Sequence, residues 1–120
     1  MPVNLDNYLG VHVQALQLES RRTELLAANL ANADTPGFKA RDIDFKTALA
    51  SATSGAGNAT GQSLEPVTQY RVPLAPSLDG NTVDVQLEQG AFAENSVRYQ
   101  ATLTLLNGKL RSLMTAITGQ

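Results

Sequence analysis

Cysteine is absent from this chain of 120 residues, which excludes disulfides and thiolate chemistry. Tryptophan is absent too, and three Phe with three Tyr make the aromatic content only 5%. The apolar inventory is mostly Leu, Ala and Val, which favours helix-on-helix packing over an aromatic-centred core. There is one histidine, His12, so a Ser-His-Asp triad would have to use it, and no elbow motif surrounds any Ser. No His/Cys cluster suggests zinc. Charge of one sign is lacking as well: nine basic and eleven acidic residues give a net charge of −2. Without a basic block the chain is unsuited to neutralising phosphates or holding an anionic membrane surface. It has no apolar run of transmembrane length. Its start, Met1-Pro2-Val3-Asn4-Leu5-Asp6, lacks the charged head and apolar stretch of a secretory signal. These absences lead one to expect a soluble cytosolic protein, unless the chain leaves by a route without a cleaved signal.

The chain has the length of one domain, and helical patterning is concentrated at its two ends. From Leu5 to Ala33, Leu5, Leu9, Leu16, Leu26 and Leu30 carry a helical pattern, with Leu18, Leu25 and Ala28 off that line. Asn4 or Asp6 can cap the start, and Glu19 can pair with Arg22 at i,i+3. Such a helix spans roughly 43 Å. From Phe92 to Thr118, Tyr99, Leu103, Leu106, Leu110, Leu113 and Ile117 step alternately by four and three, an a/d seam. Gly108 interrupts that helix outside the seam, at a cost of about 1 kcal/mol relative to Ala.

Between the ends the character changes. No residue from Thr47 to Leu64 is charged, and Ala50 to Ser63 is small and polar, which reads as a flexible loop. In the following stretch Val83, Val85 and Leu87 alternate with polar residues after an Asp79-Gly80-Asn81 turn signal, a short-strand pattern. A β-hairpin within 67–88 is consistent with this, its first arm demoted to an edge by Pro73 and Pro76. The expected fold is therefore mainly α: residues 1–35 and 91–120 form long helices that pair as an antiparallel coiled coil. Residues 36–90 form a loop-rich middle, flexible over 47–64. Because the first helix is apolar on more than one side, part of it should stay wet and mark an interaction surface.

Candidate chemistry is thin. Asp42, Asp44, Asp79 and Asp84 invite a calcium or carboxylate reading, but the EF-hand pattern and its bidentate Glu are missing, and solvated turns account for them. Glu88 and Glu94 could be posed as a glycosidase pair, yet no pocket-forming aromatics accompany them. His12 reads as an ordinary surface or packing residue. The chain is expected not to be an enzyme and to carry no cofactor or metal.

The most pointed stretch is LAANLANADTPGFKARDIDF, residues 26–45. A helix runs into it and stops at Asp34-Thr35-Pro36-Gly37, since Pro36 disfavours α geometry at Thr35. Asn29 and Asn32 lie on nearly one face of the last turn, where their amides can bond free carbonyls or a neighbouring chain. Phe38 offers an aromatic anchor just past the turn.

That stretch resembles the N-terminal motif of the bacterial flagellar axial family of rod, hook and hook-associated proteins. The motif positions are Ala31, Asn32, Thr35, Pro36, Gly37 and Phe38, with Phe38 where many members have Tyr. Three further segments resemble the proximal rod proteins within that family: Lys39 to Phe45, Asp79 to Glu88, and Glu94 to Ile117 with its Asn107-Gly108-Lys109. The resemblance implies terminal helices that pair and stack into a helical rod, with ends disordered before assembly. It implies export through the flagellar type III apparatus without a cleaved signal, and residence in the periplasmic rod of the basal body. The implied partners are other rod subunits, the membrane-ring protein and the small adaptor FliE. The implied role is a structural link that carries torque from the ring to the distal rod. Asn29 joins the motif residues as a candidate assembly site, and Leu26 and Leu30 join the C-terminal seam. Phe38 and Phe45 would pin the chain's exit against neighbouring subunits. The competing readings are another short axial rod subunit, a helical adaptor or export chaperone that does not polymerise, and a wall-cutting enzyme.

Overall fold

The computed structural model describes residues 5–53, 68–73 and 75–119. In chain order it holds α1 (Leu5–Ala31), β1 (Arg41–Ile43), α2 (Phe45–Thr53), β2 (Thr68–Tyr70) and α3 (Val85–Thr118). The fold is mainly helical, and α1 and α3 pack against each other over much of their length. Their pairing is antiparallel. Asn29 near the end of α1 meets Glu88 near the start of α3, whereas Glu19, further back, meets Asn95 and Thr102. The molecule measures 63 × 29 × 18 Å. Its radius of gyration is 17.8 Å, against about 13–14 Å for a compact chain of this length.

α1 ends at Ala31, slightly short of the predicted Ala33, because Asn32 turns back on it: its Nδ2 donates to the Ala28 carbonyl at 2.7 Å. Its apolar residues divide between two faces. Leu26 is fully buried on the side that carries Glu19 toward α3. Leu18 and Leu25 form a second core with Ile43 and Ala48, closed by Phe45 and Leu49. Leu18 and Leu25, off the main line of α1, therefore have their own cover from β1 and α2, whereas Ala28 stays exposed.

Three expectations for the middle of the chain are corrected. The loop read over 47–64 begins as helix α2, and 54–64 lie outside the described residues. Asp44 starts that helix: it accepts from the Thr47 amide at 3.3 Å and the Thr47 hydroxyl at 2.8 Å. Phe45, Ala48 and Leu49 then supply a core-facing i, i+3, i+4 set. The hairpin within 67–88 is replaced by long-range pairing. β2 lies antiparallel to β1, with Arg41 opposite Tyr70, Asp42 opposite Gln69 and Ile43 opposite Thr68. Finally, Val83, Val85 and Leu87 are not a strand. Asp84, extended at φ −103° and ψ 107°, caps α3 by accepting from the Leu87 amide, so the helix starts at Val85 rather than Phe92. The cap outweighs two-residue periodicity, and Val85 and Leu87 remain exposed at 42% and 39%.

Candidate functional site

The turn after α1 does not stand alone. Gly37, at φ +75°, donates its amide to the Asp79 carbonyl at 2.9 Å, and the Thr82 amide donates to the Phe38 carbonyl at 3.0 Å. The Ala40 amide donates to the Thr82 hydroxyl at 2.8 Å, and Lys39 Nζ donates to the Gly80 carbonyl at 2.6 Å. Gly80, at φ +78°, adopts the left-handed conformation that lets the two turns lie face to face; a Cβ there would stand 3.7 Å from Gly37 Cα. Residues 34–40 and 79–84, far apart in sequence, thus form one joint at the end of the helix pair.

Asn81 is the centre of that joint. Its Nδ2 donates to the carbonyls of Asn32, Ala33 and Thr35 at 3.0, 2.9 and 2.8 Å. Its Oδ1 accepts from the Val83 amide at 2.8 Å. One buried side chain therefore satisfies the carbonyls that the end of α1 leaves open and shapes the approach to the α3 cap. Asp79 supports it by accepting from the Asn81 amide, and the Ser77 hydroxyl also donates to Asp79. The Ser77 bond, followed by the Asn81 amide, holds the Asp79 carboxyl below its ordinary pKa.

Behind the joint lies a buried polar network. Asn29 pairs with both backbone groups of Arg41: its Nδ2 donates to the carbonyl at 2.7 Å and its Oδ1 accepts from the amide at 3.1 Å. Since the Arg71 amide donates to the Ala40 carbonyl, β2 lies on one edge of β1 and Asn29 stands on the other, where a third strand would. Asn29 Nδ2 also donates to Glu88 at 3.0 Å. Arg22 grips Asp42 through two bonds, at 2.8 and 3.0 Å, instead of pairing with Glu19. Arg71 bridges Asp42 at 2.9 Å and the fully buried Glu88, where Nε and Oε1 make a 2.6 Å charge contact off the N–H axis.

A second buried polar layer lies along the helix pair. Asn95 Nδ2 donates to the Glu19 carbonyl at 2.8 Å and to the Thr23 hydroxyl at 2.7 Å. The Thr102 hydroxyl donates to Glu19 Oε1 at 3.0 Å, while Glu19 Oε2 has no donor among the described residues. Burial raises the Glu19 pKa, against smaller lowering effects from Thr102 and Arg98.

The sequence-predicted site residues divide into two groups. Asn29, Asn32, Thr35, Pro36, Gly37 and Phe38 gather at the joint with Ala31. Asn29 is buried, Asn32 and Phe38 are half-buried, and Ala31, Thr35, Pro36 and Gly37 are exposed. The seam residues run away from it along the helices. Leu26 is buried, whereas Leu30, Tyr99, Leu106 and Leu113 are half-buried. Leu103 and Leu110 are each 38% exposed and Ile117 is 76% exposed. Phe45 is engaged by the molecule's own core.

The carboxylates considered for chemistry are dispersed among structural tasks. Asp44 and Asp84 cap helices, Asp42 binds two arginines, Glu88 is buried, and Glu94 pairs with Arg98 at 2.8 Å. Among the described residues no group of three or more His, Asp or Glu side chains could hold a metal ion, and no helix is long and apolar enough to cross a membrane. Sequence reasoning missed Asn81, Arg71 and the role of Glu88. The only signal for Asn81 was its place in a Gly-Asn turn, which does not reveal what the turn meets.

Comparison with known proteins bears on what such a joint serves. A family model described as "Flagella basal body rod protein" matches residues 9–39, from the first half of α1 to the turn. A "Flagellar basal body rod protein FlgB" of Cereibacter sphaeroides is 51% identical over 122 residues, covering 93% of this chain and 94% of its own. The protein of that name from Aeromonas hydrophila is 47% identical, covering 100% of this chain and 99% of its own. The one from Escherichia coli K12 is 43% identical, covering 94% of each chain.

Proposed function

The chain belongs to the FlgB family of flagellar basal body rod proteins, and from that premise we propose that it is a structural subunit of the proximal rod that polymerises through its terminal helices. In this reading it links the membrane ring to the distal rod and transmits torque. Its neighbours are the ring protein, the adaptor FliE and other rod subunits. It reaches the periplasm through the flagellar type III export apparatus without a cleaved signal.

One observation carries the reading. α1 and α3 pack together, yet no a/d residue of α3 is fully buried, and its apolar seam stays partly open toward the C-terminal end. On that seam Leu103 and Leu110 are each 38% exposed and Ile117 76%, with Met114 beside them at 65%. An apolar stripe this long on a small chain calls for cover by another surface. Stacked helices in a rod would provide it. The joint supports the same reading, because it sets where the helix pair ends and where the chain turns away.

The test is mass spectrometry of intact basal bodies with the hook and distal rod sheared off. The chain is expected to copurify with the ring protein at a fixed ratio. Its absence from the particle, with a stable dimer in the cytosol, would replace the rod reading with that of an adaptor. Leu106→Asp should block incorporation while leaving expression intact, and a motile strain carrying it would remove Leu106 from the seam.

A further inference from the structure

Arg71 occupies an unusual place in the charge network. It follows β2 directly, and its own amide donates to the carbonyl of Ala40, the residue just before β1. Its guanidinium serves two carboxylates, and these do not depend on it equally. Asp42 retains Arg22, which binds it through two hydrogen bonds. Glu88 has a side chain exposed to 0%, and its other donor is the neutral amide of Asn29 at 3.0 Å. Arg22 attracts Glu88 only at longer range. A buried carboxylate that loses its contacting cation must be hydrated, protonated or released from its site. Glu88 belongs to the first turns of α3, immediately after the Asp84 cap, so any of these outcomes acts on the end of the helix pair.

We propose that Arg71 is an electrostatic latch that makes closure of the α1–α3 joint conditional on docking of β2. Glu88 stays buried while β2 lies against β1. When β2 lifts, the cation leaves with it and the start of α3 loosens. The inference concerns coupling within one molecule and goes beyond the rod reading.

Hydrogen exchange on the full-length chain tests this. In Arg71→Met, the amides of Leu87 and Glu88 should exchange at least about tenfold faster than in the parent, as expected when a buried charge loses its partner. Adding Glu88→Gln removes the stranded charge and keeps an acceptor for Asn29. The double variant should return those two amides to within about threefold of the parent, although β2 stays loose. If Arg71→Met speeds exchange only within β1 and β2, the latch is refuted. Failure of Glu88→Gln to restore the α3 amides refutes it equally. Should Arg71→Met unfold outright, a folded double variant supports the coupling and an unfolded one overturns it.

Discussion

Replacing Asn81 should cost more than any other single polar change at the joint, and its size can be worked from the geometry. The amide group has two protons and three carbonyls to serve, at 3.0, 2.9 and 2.8 Å, so the bonds are shared. Asn81→Ala removes these and the bond from the Val83 amide at 2.8 Å. Three net hydrogen bonds at about 1 kcal/mol each give roughly 3 kcal/mol, and carbonyls left dry at a site 7% exposed add to it. Unfolding by urea, followed by the helical circular dichroism signal, should show the loss as a lower midpoint with an unchanged slope. Asn81→Asp is the sharper probe. It keeps the size and the acceptor but sets a negative oxygen against three carbonyls, so it should be less stable than Asn81→Ala at neutral pH. If Asn81→Asp matches the parent, the carbonyl clamp does not hold the joint and the argument built on it fails.

Two further outcomes follow from the helix pair. Burial raises the Glu19 pKa above the ordinary value of 4.5, so the folded chain favours the protonated form. The stability this group contributes is full below the unfolded pKa and is lost as pH rises through the folded one. Glu19→Gln should therefore be more stable than the parent at pH 7 and equal to it in acid; thermal melts across that range check the sign, and a less stable variant at neutral pH contradicts it. Leu26→Ala, at a position with 0% exposure, should cost about 2–5 kcal/mol by chemical denaturation, whereas Ile117→Ala, at 76% exposure, should leave the isolated chain within about 0.5 kcal/mol of the parent.

Both long helices and the stop between them were legible from Leu spacing and from Pro36-Gly37, because these signals are local. α2 was missed: Asp44 followed by Phe45, Ala48 and Leu49 carries a helix signal, but the uncharged, Gly-bearing continuation led to a loop reading. Val83, Val85 and Leu87 show the opposite failure: their alternation is real, and a capping Asp84 within it decides for helix. The joint itself was out of reach. Nothing in Asn81 or Thr82 points to residues 32–40, since such contacts depend on two turns arriving at the same place. Arg71 and Glu88 likewise look like ordinary surface charges until packing excludes water from one of them.

The pairing of Ile43 with Thr68 has a consequence for how this chain can vary. The backbone leaves the sheet after Ile43 and rejoins it at Thr68 on the adjacent strand, so these two points are held together by the pairing. Below that anchor, α2 rests on α1 and already fixes the outgoing limb. Lengthening the stretch between Thr53 and Thr68 then shifts neither long helix and neither turn of the joint. Its thermodynamic cost rises only with the logarithm of its length, by about 0.6 kcal/mol for each doubling. Residues inserted there would leave the spacing of the helix pair untouched.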